Sequence, residues 1–177
     1  MATQPIAAPL ISVEEYLRTV YETDREYNEG VVEERNLGEF EHSFLQVNLG
    51  TLFTIHIAEW GVFALTEQRV QLRPRRLVVP DLTVLRMGLP RERILTRPPL
   101  ITIEIMSPED RMKVVAAKSQ EYRSFGVEHI WVIDPKKRVA YRYTDSGLEL
   151  VPSGELTVPG TPIVVRVPEL FAKLDQF

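Results

Sequence analysis

Cysteine is absent from the 177 residues. That excludes disulfides, thiolate zinc sites and thiol nucleophiles, and it suits a reducing cytoplasm. No apolar run approaches the roughly 20 residues needed to cross a bilayer, since the longest are of strand length. Residues 1–10 lack both a basic segment and a long apolar stretch, so they read as a flexible tail rather than a signal peptide. Residues 11–177 are then expected to form one domain. Histidine is scarce, and His42, His56 and His129 show neither HxxxH nor HExxH spacing, which argues against histidine-based zinc chemistry. Positive charge is not in excess either: the net charge of -4 does not advertise a nucleic-acid binder.

The distribution of charge says more than its sum. Residues 1–68 carry 12 acids against 3 bases, residues 69–97 carry 2 against 8, and the remainder 11 against 10. The middle segment is locally basic. Its arginines either dock a polyanion through phosphate contacts or act as ordinary pairing and solubility residues on strands. With 44% hydrophobic residues the chain has enough apolar surface for a sizeable core.

Ser12 followed by Glu15 forms a capping box, and Val13, Tyr16, Leu17 and Val20 then recur at helical spacing, predicting a helix over 13–21. Asn28-Glu29-Gly30 before Val31-Val32 predicts a β-hairpin over 27–36. A second helix is expected over 41–60, stopped by Gly61. The period then changes to strands over 62–72, 77–86 and 100–106, a three-stranded sheet. Ser107-Pro108-Glu109-Asp110 supplies an N-cap, a proline and first-turn acids for a helix ending at Gly126. Strands follow over 129–134 and 139–143, with a further one across the Asp145-Ser146-Gly147 turn, and residues 162–177 read as a strand and a terminal helix. The order is that of an α/β fold, a mixed β-sheet flanked by helices, with an N-terminal helix and β-hairpin.

Three residues carry a chemical signal. Asp81 interrupts the apolar run Val78-Val79-Pro80-Asp81-Leu82-Thr83-Val84-Leu85, and Glu104 interrupts Leu100-Ile101-Thr102-Ile103-Glu104-Ile105-Met106. Alternation puts Asp81 on a face with Val79 and Thr83, and Glu104 with Thr102 and Met106. Burying an ionised carboxylate alone costs several kcal/mol, so each acid needs a base or a metal. A hard divalent ion such as Mg²⁺ or Mn²⁺, held by one or two carboxylates plus water and phosphate oxygens, meets that need. On the following helix Lys118 lies within a stripe of Val114, Val115, Tyr122 and Phe125. A lysine so placed either snorkels to water or is aimed by the fold at the two acids, where its charge could act on a water or a phosphoryl oxygen.

Pro80-Asp81, Glu104 in Ile103-Glu104-Ile105-Met106-Ser107-Pro108, Lys118-x-x-x-Tyr122 and the run Phe125-Gly126-Val127-Glu128-His129-Ile130-Trp131-Val132-Ile133-Asp134-Pro135 together resemble the Uma2 (DUF820) family, from about residue 11 to the end. The resemblance implies a restriction-endonuclease-like core of the PD-(D/E)XK type and metal-dependent phosphodiester hydrolysis. It further implies Asp81 and Glu104 as ligands of Mg²⁺ or Mn²⁺, Lys118 as third catalytic residue, and nucleic acid, DNA before RNA, as substrate. In the general PD-(D/E)XK pattern a lysine stands two residues after the second acid; here that residue is Met106, and Lys118 substitutes from the helix. Glu33, His42 and Gln46 resemble positions that approach the cleft and, with Tyr122, are candidate additional site residues, while Glu67 and Gln68 are weaker candidates. A homodimer is also expected, from the resemblance and from Phe40, Phe44, Leu170 and Phe171, which fall outside the obvious core. The competing reading is a nuclease-fold protein without turnover, acting as a nucleic-acid-binding or regulatory module; a third is the same metal chemistry on a small phosphoester.

Overall fold

A computed structural model describes residues 10–36 and 38–177. The tail expected over residues 1–10 lies outside these except for Leu10. The elements in chain order are α1 (Val13–Arg18), β1 (Arg25–Asn28), β2 (Val31–Glu34), α2 (Phe40–Ile55), α3 (Ile57–Trp60), β3 (Val62–Thr66), β4 (Val70–Arg73), β5 (Arg76–Val78), β6 (Leu82–Arg86), β7 (Ile101–Ile105), α4 (Met112–Phe125), β8 (His129–Asp134), β9 (Val139–Thr144), β10 (Gly147–Val151), β11 (Glu155–Thr157), β12 (Val164–Arg166) and α5 (Val167–Leu174). The Ser12 hydroxyl accepts from the Glu15 N–H at 3.0 Å, as the capping box predicts. The β1–β2 hairpin turns at Glu29 and Gly30, both at positive φ.

The strands form a six-stranded sheet in the order β10-β9-β8-β7-β6-β3, a four-stranded sheet β2-β1-β5-β4, and the small pair β11-β12. In the large sheet only β7 and β8 run parallel, and α4 is the crossover that joins them. Alternation decides the two faces. Leu82 and Val84 of β6 and Ile101, Ile103 and Ile105 of β7 join Leu45, Leu49 and Phe53 of α2 and Leu170 and Phe171 of α5 in the main core. The other face of β6 and β7 presents Thr83, Thr102 and Glu104, and Tyr122 of α4 packs on this side with Leu85 and Ile130.

Several expectations need correction. Residues 62–72 and 77–86 are not continuous strands: each divides between the two sheets, β3 and β6 in the large one, β4 and β5 in the small one. The first crossing turns at Glu67, whose φ is +51, and the second at Pro80 and Asp81, where proline has no N–H for a ladder. The sheet expected to have three strands therefore has six, and Asp81 stands at the bend between sheets rather than on a strand face. The helix expected over 41–60 breaks at His56 (φ -100, ψ 11) into α2 and α3. α1 stops at Arg18, short of 21. α4 starts at Met112, not at Ser107, because the Asp110 carboxylate accepts from the Ser107 N–H at 2.6 Å and closes a turn there. Leu170 and Phe171 are core residues, only 4% and 3% exposed, so they offer nothing to a dimer interface. Within the expected stripe of α4, Val114 is 63% exposed, and Ser119 takes a buried place instead.

α4 ends at Gly126, whose φ of +107 lies in the left-handed region, and a Cβ there would stand 3.1 Å from the Pro98 ring. Gly126→Ala should therefore cost about 1–2 kcal/mol, a fall of roughly 2–8 °C in Tm. Gly50 lies inside α2 with nothing within 4 Å of a built Cβ, so Gly50→Ala should stabilise by about 0.5–1 kcal/mol. Thermal melts of the two variants check both signs.

Candidate active site

The break at Pro80 and the even positions of β7 have one joint consequence: both acids singled out in the sequence face the same cleft. The cleft, of about 570 Å³, opens between α4, β1, β2 and the start of α2. Asp81 is 3% exposed, and its carboxylate is held from three sides. Arg35, just past β2, donates to Oδ1 at 2.7 Å; His42 Nε2 lies 3.2 Å from Oδ2, which also accepts from the Ile105 N–H at 2.7 Å. The Gln46 amide, one turn after His42 on α2, donates to the Asp81 carbonyl at 3.1 Å and fixes the bend itself.

Glu104 meets α4. Lys118 Nζ lies 3.0 Å and 3.1 Å from its two oxygens, and the Tyr122 hydroxyl donates to Oε1. The i, i+4 spacing of Lys118 and Tyr122 sets both above one carboxylate. The helix therefore delivers the positive charge at Glu104, while Met106 packs with Val115 and Val132 in a small apolar cluster. Lys118 does not snorkel: its side chain is 17% exposed, and its ammonium also pairs with Glu26 Oε1 at 2.7 Å.

Glu26 was invisible in the sequence. It lies on β1 amid the acid-rich first third of the chain, where one more glutamate reads as surface, and only sheet pairing brings it inward. There it accepts from the Val79 N–H at 3.2 Å and pairs with Arg76 at 3.2 Å, so it joins the chain just before the Pro80 bend to α4. Arg76 in turn holds Glu121 at 2.9 Å and Glu33 at 3.3 Å. Glu33 thus stands at the rim, bound through Arg76 rather than on either central acid. Arg35, also missed, sat unmarked between Glu34 and Asn36; its second partner is Glu67, at 3.7 Å. Of the basic middle segment, Arg73, Arg75, Arg76, Arg86 and Arg97 all pair with glutamates, which favours the pairing reading over a free polyanion surface.

These surroundings divide the acids electrostatically. Burial pushes Asp81 up, but the hydrogen bond and charge of His42, Arg35 and the Ile105 N–H outweigh it and hold Asp81 below its usual range. Glu26 is likewise held down against its burial by Lys118 and Arg76. Glu104 goes the other way, to about 7: burial and the repulsion of Asp81 and Glu26 exceed what Lys118 and Tyr122 return. Against its own burial, Lys118 is kept charged by Glu104 and Glu26. His42 is raised, since its hydrogen bond to Asp81 overcomes burial. Among the described residues no group of three or more His, Cys, Asp or Glu side chains has the arrangement of a metal cage. The oxygens on hand for a cation are the carboxylates of Asp81 and Glu104, and Glu104 is the one short of positive charge.

That shortage sets a pH dependence. Between its unfolded value of 4.5 and its folded value of about 7, Glu104 binds a proton more readily in the folded protein, so stability rises as pH falls through that window. His42 adds stability that is complete below 6.5 and lost as pH rises through its raised folded value. Asp81 and Glu26 act oppositely, but their contribution is lost only as pH falls below the usual carboxylate range. The metal-free protein should be more stable at pH 5.5 than at pH 8 by about 1–3 kcal/mol, and Glu104→Gln should flatten that difference. Denaturant unfolding at the two pH values measures it, and equal stabilities in the native protein would contradict the charge shortage at Glu104.

The family model described as "Uma2: Putative restriction endonuclease" matches residues 13–167. Among solved structures, one described as "a putative nuclease belonging to DUF820", from Anabaena variabilis, matches with a TM-score of 0.80 and 24% identity, over 93% of this chain and 99% of that one. At that identity the likeness is one of fold, and it carries the mixed sheet and flanking helices expected above. No curated protein matches the chain.

Proposed function

The chain belongs to the Uma2 family, and from that premise we propose that it is a metal-dependent endonuclease, hydrolysing nucleic-acid phosphodiester bonds at the cleft of Asp81, Glu104 and Lys118. The observation that carries this reading is the pairing of two buried carboxylates from different elements, one of them lacking enough positive charge, beside a lysine from a third. Such a donor set fits Mg²⁺ or Mn²⁺, which take one or two protein carboxylates and complete their shell with water and phosphate oxygens. When bound, the ion would supply a water of lowered pKa and neutralise charge on the phosphoryl oxygens.

The protein's own residues have distinct tasks in this reading. Asp81 is kept ionised by His42 and the Ile105 N–H, ready to ligate without first losing a proton. Glu104 would share its charge between a bound ion and Lys118. Lys118, held by Glu26 on its far side, presents a fixed ammonium to the nucleophilic water or to a phosphoryl oxygen. Tyr122 orients Glu104, and Gln46 and Glu33 steady the bend and the rim. DNA is the substrate we favour. Homodimerisation belongs to the same proposal and rests on the apolar side chains that α2 and the C-terminus expose, Phe40, Val47, Ile55 and Phe177; sedimentation as a 20.3 kDa species at micromolar concentration would remove it.

Asp81→Asn and Glu104→Gln should each abolish Mn²⁺ binding in a calorimetric titration, and unchanged binding in both would end the metal-site reading. Lys118→Met should keep Mn²⁺ binding and reduce single-turnover cleavage of plasmid DNA by about 100- to 1,000-fold, the effect of removing one preorganised charge. Because it strands Glu26 and Glu104, the same variant should also melt lower without metal and regain part of that loss with Mn²⁺. Wild-type cleavage by Lys118→Met would exclude Lys118 from the chemistry. Mn²⁺ binding without cleavage of any nucleic acid by the native protein would favour the binding or regulatory module.

A further inference from the structure

We infer that Arg35 is a resident counter-cation on Asp81, which a divalent ion displaces on binding and thereby delivers to the substrate phosphate. The inference rests on the metal-site reading above and adds to it a cation exchange built from this chain's own residues.

The accounting of lone pairs on Asp81 leads there. A carboxylate offers about four acceptor positions. On Oδ2 two of them face the Ile105 N–H and His42 Nε2, which sit on β7 and α2, elements that pack in the main core. On Oδ1 the only partner among the described residues is Arg35, at 2.7 Å. A cation reaching Asp81 must come to Oδ1, and there it meets a guanidinium with which it repels strongly in a buried setting. Arg35 is the partner able to leave: it lies beyond the last residue of β2, in the link to α2, and is not part of a ladder.

Charge in the cleft says where Arg35 goes. Glu26, Glu33, Asp81, Glu104, Asp110 and Glu121 line it, an environment that repels phosphate. Its lysine and its other arginine are committed, Lys118 between Glu104 and Glu26, and Arg76 among Glu26, Glu33 and Glu121, while His42 faces Asp81. An ion on Oδ1 takes the main partner of Arg35, whereas Lys118 keeps Glu26 when Glu104 turns to the ion. Its remaining acid within pairing distance is Glu67, half-exposed and 3.7 Å away, a loose contact, while Glu104 and Glu26 act on it from further off and keep it in the cleft. A planar, always-charged fork released in this way suits a phosphodiester oxygen pair.

The experiment measures Mn²⁺ affinity by calorimetry in the native protein, Arg35→Gln and Arg35→Lys, and then the affinity of each Mn²⁺-loaded protein for a phosphorothioate oligonucleotide that resists cleavage. Arg35→Gln should bind Mn²⁺ at least tenfold more tightly than the native protein and the oligonucleotide at least tenfold more weakly; Arg35→Lys, with a shorter stem and a single ammonium, should fall between. Arg35→Gln leaves Asp81 buried with one partner fewer, so melts are recorded with and without Mn²⁺. A variant that folds only with Mn²⁺ supports the exchange, and if Arg35→Gln does not fold at all, Arg35→Lys decides. Native or weaker Mn²⁺ affinity in the folded variants overturns the displacement, and unchanged oligonucleotide affinity overturns the delivery to phosphate. Failure of Mn²⁺ to bind the native protein and both variants would instead sink the metal site itself, a result distinct from either.

Discussion

The structure depends on keeping charge buried where its two main sheets meet. Glu26 from the small sheet, Glu104 from the large one and Lys118 from α4 form one contact, with the ammonium between the two carboxylates at 2.7 Å and 3.0 Å. Replacing such ions by apolar groups would often be neutral or favourable for stability, and breaking one partner away costs about 3–5 kcal/mol. The contact therefore constrains more than it stabilises. Lys118 has to be where it is because two carboxylates from different sheets are there, and both need the same cation.

From this contact the rest of the cleft follows. Arg76, on the strand next to β1, takes the other oxygen of Glu26 and ties Glu121 of α4 to the hairpin, so the helix is clamped to the small sheet at two points one turn apart. The chain then leaves that sheet at Pro80, and the residue after the proline is Asp81. Its own set of partners, Arg35, His42 and the Ile105 N–H, is drawn from the hairpin exit, α2 and β7. Asp81 and Glu104 thus differ by design of their surroundings. One is compensated and stays ionised, while the other is buried beside two like charges and drifts toward neutrality near pH 7. That asymmetry underlies the proposed cation site, since the undercompensated carboxylate is the one a hard cation would relieve.

Much of the secondary structure was open to inspection of the sequence, for local reasons. The capping box at Ser12, the Glu29-Gly30 hairpin turn, the stop at Gly126 and the Asp145-Ser146-Gly147 turn are all rules about a few neighbouring residues, and each is found. Failures occurred where local rules give equal support to two outcomes. A β-rich run reads the same whether it stays in one sheet or passes from one to another, so the division of 62–72 and of 77–86 was hidden. Asp110 is as good a first-turn acid as it is a partner for the Ser107 N–H, and only the surroundings chose the latter. Leu170 and Phe171 looked spare because the strands they cover lie far away in the chain.

For the site, the sequence by itself determined the acids and the lysine. Asp81 and Glu104 interrupt apolar strand patterns, Lys118 interrupts an apolar helical stripe, and the energetic cost of burying a lone charge marks each as needing a partner. It could not supply the partners. Glu26, Arg35 and Arg76 lie 92, 46 and 50 residues along the chain from their partners Lys118, Asp81 and Glu26, and they meet only through sheet pairing and the bend at Pro80. Alternation and helical period reach only a few residues along a chain, whereas the energy of an ion pair depends on distance in space and on the water excluded around it. The tertiary structure alone brought these groups within 3.2 Å of their partners.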